Sequence, residues 1–105
     1  MIRYALSAMA RRELADIYQF SLQRWGVAQA DRYIGEMFET FAAIGDGQAR
    51  SRPLSLSDVD GEVTIFRSHY IYWFRSPYGE ARIATILHQH MVQADRVRIA
   101  FHLPD

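Results

Sequence analysis

From Ala10 onward, small or apolar residues return every three or four positions, at Ala10, Leu14, Ile17, Ser21 and Trp25, with Tyr18 and Leu22 beside them. That period places them on one side of a helix. Ser7 precedes the run as a preferred N-cap, and Ile2 to Leu6 before it reads as a short strand. Gly26 suits the left-handed position that closes a helix, and Ala30, Tyr33, Ile34, Met37, Phe38, Phe41 and Ile44 then make a second stripe of the same period, which Gly45 ends. Two helices joined across one or two residues run antiparallel, so their shared apolar side requires a partner surface.

The second half of the chain supplies it. Asp46 to Gly61 is rich in Gly, Ser, Asp and Pro and reads as a long loop, after which Val63–Arg67, His69–Arg75 and Ala81–Gln89 read as strands. Ser76-Pro77-Tyr78-Gly79 is a turn between two of them. Short connections make the three strands an antiparallel meander, with the helical hairpin over one face. Val92, Arg96, Ile99, Ala100 and Leu103 align on one side of a short closing helix ending before Pro104. The expected fold is α+β, in the order β-α-α-β-β-β-α, as one domain over residues 1–105 with one core.

Composition narrows the chemistry. There is no cysteine, so disulfides, thiolate metal sites and a Cys nucleophile are absent. Met1-Ile2-Arg3-Tyr4 runs straight into an amphipathic segment, and no stretch approaches the ~20 apolar residues that span a membrane, so a cytoplasmic location is expected. Twelve cations meet twelve anions, and every cation is arginine. A protein that grips nucleic acid through its backbone normally carries a net basic surface, which this chain lacks. Arginine without lysine instead suits forked bonds to carboxylates and stacking on aromatics at protein interfaces.

Motifs for catalysis or cofactors fail on inspection. His88 and His90 share a strand face, and His69, Asp95 or His102 would have to complete a metal site, none at a diagnostic spacing. Gly45-Asp46-Gly47 has Arg50 at its third glycine position and follows a helix, unlike a nucleotide loop. Asp58-Val59-Asp60-Gly61 would need acidic ligands where Leu56 and Arg67 stand. A metal-free ribonuclease would draw on Tyr70, Tyr72, Arg75, Arg82, His88 and His90, but strand parity puts Arg75 on the opposite face from Tyr70 and Tyr72. No catalytic residue, metal or cofactor is therefore assigned.

Several short motifs in order resemble the ParE toxins of the RelE/ParE superfamily. They are Leu6-Ser7, Arg24-Trp25-Gly26 with Gln29-Ala30 and Tyr33, Ser68-His69 with aromatics up to Phe74-Arg75, and Ile83 through Ile86-Leu87-His88 with Met91. The resemblance covers most of the chain, with departures at Val92, where the family commonly has Asp, and at the offset Arg50 and Arg52. It implies a toxin neutralised by a co-expressed ParD-type antitoxin and directed at DNA gyrase through binding. The related RelE branch, which cuts messenger RNA on the ribosome, is the alternative; a degenerate toxin that only binds its antitoxin is a further one. On the binding reading, Tyr18, Leu22, Trp25, Tyr33 and Met37 are candidate antitoxin contacts, and Arg96, Arg98, Phe101, His102 and Leu103 candidate target contacts.

Overall fold

Ser7 starts the first helix in two ways: its Oγ accepts the Ala10 N–H at 3.0 Å and donates to the Ala84 carbonyl at 2.8 Å. The computed structural model describes residues 3–56 and 58–103, and places β1 at Tyr4–Leu6, α1 at Ala8–Trp25 and α2 at Val27–Gly45. Ile2, expected in the first strand, lies outside the described residues. Gly26, at φ 89°, serves both helices, donating its N–H to the Leu22 carbonyl and accepting from the Ala30 N–H, each at 3.0 Å. A single residue with no Cβ penalty in that conformation is enough to fold the chain back.

The meander follows as β3 (Glu62–Phe66), β4 (His69–Arg75) and β5 (Ala81–His88), paired antiparallel. Two features were not legible beforehand. A two-residue strand, β2 (Arg52–Pro53), interrupts the expected loop and pairs with Val63 and Glu62; Pro53 is tolerated because β2 is an edge strand. At the other side β1 pairs in parallel with β5, giving the sheet order β1-β5-β4-β3-β2. Arg67, expected at a strand end, is instead the first residue of the β3–β4 turn with φ 53°, the positive value a tight two-residue hairpin requires.

The sheet is covered on both faces, not one. On the first, Met37, Phe41 and Ile44 of α2 pack with Ile71, Trp73, Ile83 and Ile86, and each fully buried side chain of this size contributes roughly 1.5–3 kcal/mol. On the second, Val97 packs with Val63, Tyr72 and Leu87. Val97 belongs to α3 (Ala94–His102), which follows a 3-10 turn at Gln89–Met91. Leu54 and Leu56, from the segment expected to be a plain polar loop, complete that second cluster with Tyr70 and Phe101. The α3 stripe is accordingly rotated from the expected one: Val97 and Ala100 are buried, whereas Arg96, Ile99 and Leu103 face out.

Side chains complete the sheet where strands stop. β1 pairs only as far as Ile83, and beyond it Glu13 of α1 accepts the Ile86 N–H and the Thr85 hydroxyl, both at 2.8 Å. Burial pushes the Glu13 carboxyl up from its ordinary value, opposed by these two bonds. Arg75 similarly donates to the carbonyls of Ile44 at 3.0 Å and Gly45 at 3.3 Å, closing the C-terminus of α2.

Glycine at position 45 is a matter of space, since a Cβ there would lie 2.9 Å from the Arg3 backbone, whereas Gly35, mid-helix, has open space. Gly45→Ala should destabilise the chain by about 1–3 kcal/mol despite alanine's better helix propensity, and Gly35→Ala should stabilise it by about 0.5–1 kcal/mol. Urea unfolding of both variants checks the opposite signs.

Candidate interaction groove

The exposed aromatic residues of α1 are concentrated at its C-terminal end. Phe20 is 60 % exposed and Trp25 49 % exposed, although the Trp25 position continues the apolar spacing of the helix. Their rings meet edge to face with centroids 6.2 Å apart, and Trp25 lies 6.5 Å from Tyr33 of α2. Exposed large apolar groups clustered in this way mark an interaction surface more often than scattered ones do.

Together with Asp16, Ile17 and Ser21 of α1, the β3–β4 turn, His88 and Met91, they line a groove of about 530 Å³ between α1 and the end of β5. Its polar wall is ordered by Tyr33, whose Oη lies 2.8 Å from His69 Nδ1, and by Arg67, whose guanidinium sits 5.9 Å from the Tyr33 ring and 5.5 Å from Phe66. Arg67 is also ion-paired with Glu36 of α2. These contacts offset the strain of a left-handed non-glycine residue and hold the turn tip against the hairpin. The groove is thus largely apolar, with one forked donor and two imidazoles at its rim.

The three histidines sit side by side, His69 to His88 at 5.4 Å between ring centroids and His88 to His90 stacked at 4.9 Å. His88 Nδ1 accepts the His90 N–H at 3.2 Å. No group of three or more metal-ligating side chains positioned to hold an ion occurs among the described residues. The residues a ribonuclease would use are largely engaged in structural contacts. Tyr70 and Tyr72 face α3, Arg75 clamps the end of α2, and Arg82 is ion-paired with Glu80 at 3.0 Å.

Of the five expected antitoxin contacts, Trp25 and Tyr33 line the groove. Tyr18 lies off it, donating from its hydroxyl to Asp31 at 2.7 Å and tying the two helices together. Leu22 is half-buried and also lies off it. Met37 is a core residue with no exposed surface, so the second-helix stripe that suggested it is the stripe facing the sheet. Phe20, Arg67 and Met91 are groove residues that sequence reasoning missed; the available signal for Phe20 was a large aromatic on the polar side of an amphipathic helix. Among the expected target contacts, Arg96, His102 and Leu103 are exposed. Phe101 lies tilted against Phe74 with ring centroids 5.7 Å apart, and Arg98 is held by both oxygens of Asp58 at 2.9 and 3.1 Å.

This architecture is that of a known class of small α+β protein. It superposes on a chain from the solved chromosomal ParDE TA system of P. aeruginosa with a TM-score of 0.67, at 17 % identity, covering 84 % of this chain and 96 % of that one. Sequence agrees: Toxin ParE1 of Caulobacter vibrioides is 40 % identical over 88 residues, spanning 84 % of this chain and 90 % of that toxin. The model of the ParE toxin of the type II toxin–antitoxin system parDE matches residues 4–93. The chain belongs to the ParE toxin family of type II toxin–antitoxin systems.

The groove wall carries a pH signature. Burial, and secondarily the neighbouring His88, lower the His69 pKa from 6.5 to about 4. Between those values the unfolded chain binds the proton and the folded chain does not, so this stabilisation is complete above pH 6.5 and is lost as pH falls toward 4. Solvent that reaches the ring screens part of this, so the loss should be about 1–3 kcal/mol. Denaturant midpoints at pH 7.5 and 4.5 for the native chain and His69→Gln check it: the substitution should flatten the dependence, and equal slopes would contradict the assignment.

Proposed function

We propose that the chain acts by occupying partners and not by catalysis: a ParD-type antitoxin seats an apolar segment in the Trp25 groove, and DNA gyrase is the target it inhibits in the cytoplasm when free. The observation that carries this reading is the exposed Phe20–Trp25 pair over a groove of about 530 Å³ walled by Tyr33 and Met91. Aromatic anchors around a preformed apolar groove suit an amphipathic segment. Membership in a parDE family supports an antitoxin as the occupant. The engagement of Arg75 by the end of α2 and of Arg82 by Glu80 favours binding over RNA cleavage.

For the target we favour the outward side of α3, where Arg96 combines with His102 and Leu103. Removing residues 96–105 would also remove Val97, Ala100 and Phe101 from the sheet face, so point substitutions are the cleaner probe.

The primary experiment is induced expression with and without the adjacent antitoxin gene, followed by a supercoiling assay of gyrase with the purified chain. Growth arrest relieved by co-expression, with loss of supercoiling activity, is expected. Discrete cuts within translated codons seen by primer extension would instead establish the ribosome-dependent nuclease reading. Trp25→Ala should weaken antitoxin binding at least about thirtyfold, the loss typical of an interface hot spot, while leaving the fold intact because the ring is half exposed. Isothermal titration alongside circular dichroism measures both, and unchanged affinity would refute the groove. His102→Ala combined with Leu103→Ala should reduce gyrase inhibition roughly tenfold with antitoxin affinity retained, as read from the concentration giving half-inhibition.

A further inference from the structure

A second depression of about 540 Å³ lies further along α1, between that helix, the stretch of β5 beyond its pairing with β1, and α3. Its apolar lining is Met9, Leu87 and Ile99, and its charged lining is Arg12 and Arg96 together with Glu13 and with Asp95, which is paired to Arg98 at 3.4 Å. Both arginines are exposed, and neither forms a hydrogen bond or ion pair among the described residues. Both guanidiniums act on the Glu13 carboxylate at a distance, each working to lower its pKa, but its oxygens are bonded to Thr85 and Ile86 and to neither arginine. The trough therefore presents two available guanidiniums over an apolar floor, which is complementary to carboxylates on a segment that also carries an apolar side chain.

Its position connects it to the Trp25 groove. Met9, Arg12 and Glu13 line this trough, while Asp16, Ile17 and Phe20 line the groove, so both lie along successive turns of the same side of α1. From Met9 to Trp25 the helix rises roughly 24 Å, a length that about seven extended residues span.

We infer that this trough seats an acidic segment of the antitoxin, continuous with the apolar segment that fills the Trp25 groove. The inference rests on the groove being the antitoxin's seat. The segment is read by its side chains and not as an added strand, because Glu13 already takes the Ile86 N–H and Ser7 Oγ already donates to the Ala84 carbonyl. Its contact with Arg96 covers part of the outward side of α3, so neutralisation follows from masking the surface assigned to the target.

The test uses the full-length toxin and overlapping 16-residue peptides tiling the antitoxin encoded beside it, with affinities by fluorescence anisotropy. Arg12→Glu and Arg96→Glu should each weaken full-length antitoxin binding at least tenfold, an effect that shrinks in about 0.5 M salt. The peptides they affect should be acidic and should adjoin or overlap those affected by Trp25→Ala. In cells, Arg12→Glu should remain toxic and escape rescue by the antitoxin. Arg12→Gln, with unfolding midpoints for every variant, separates loss of contact from repulsion of Glu13. Unchanged affinity with both charge reversals, while Trp25→Ala still weakens binding, overturns the trough and leaves the groove standing; no effect from any of the three overturns both. A dimer of this chain seen by light scattering and broken by Arg12→Glu would overturn the antitoxin as the occupant in favour of a second copy.

Discussion

Glu13 holds the molecule together at the point where the sheet runs out of strand. β5 is buried along most of its length and needs hydrogen-bond partners on both edges, yet β1 accompanies it only from Ala81 to Ile83. A backbone N–H left bare next to a packed helix would cost 1–3 kcal/mol, and a carboxylate delivered from α1 removes that penalty. The same contact, together with the packing of Ala10, Leu14 and Ile17 on the core, positions α1 against β5. Glu13 also occupies the edge that an incoming strand would require.

The helical hairpin and the meander were readable because each is a local pattern: a 3.6-residue period, a one-residue glycine break, and alternating strands separated by turn residues. What was not readable depended on distant partners. The parallel pairing of β1 with β5 joins residues almost eighty positions apart, and no spacing within either segment encodes it. β2 is two residues long, too short for any periodicity, and exists because Glu62 and Val63 offer it an edge. The α3 stripe differs from the expected one because residue type alone favours Ile99 and Leu103 for the core, whereas the space on the second sheet face lies opposite Val97, Ala100 and Phe101.

The site divides along similar lines. Trp25 and Tyr33 were identifiable because large aromatics flanking a helix break are few and chemically conspicuous. Met37 was indistinguishable from them in sequence, since a core stripe and a groove stripe share one period, and only the sheet determines which side of α2 is covered. Phe20 failed the opposite test: it sits off the apolar stripe, which is what an exposed anchor should do, and amphipathic periodicity cannot separate such a residue from an incidental exposed aromatic. Arg67 joined the groove through a backbone angle of 53°, a property of the hairpin turn and not of its own residue type.

The absence of lysine takes on a structural meaning in this setting. Arg67 pairs with Glu36 while lying over two aromatic rings, Arg75 bridges helix carbonyls beside Trp73, and Arg98 grips both oxygens of Asp58. Each task uses a planar fork or a stacking face, which a compact ammonium would not provide equally. Twelve acidic side chains match the twelve arginines, so the molecule is near neutral and lacks the broad basic field that nucleic acid selects. Arg12 and Arg96, which form no hydrogen bond or ion pair among the described residues, line the α1–α3 trough inferred to meet an acidic segment of the partner.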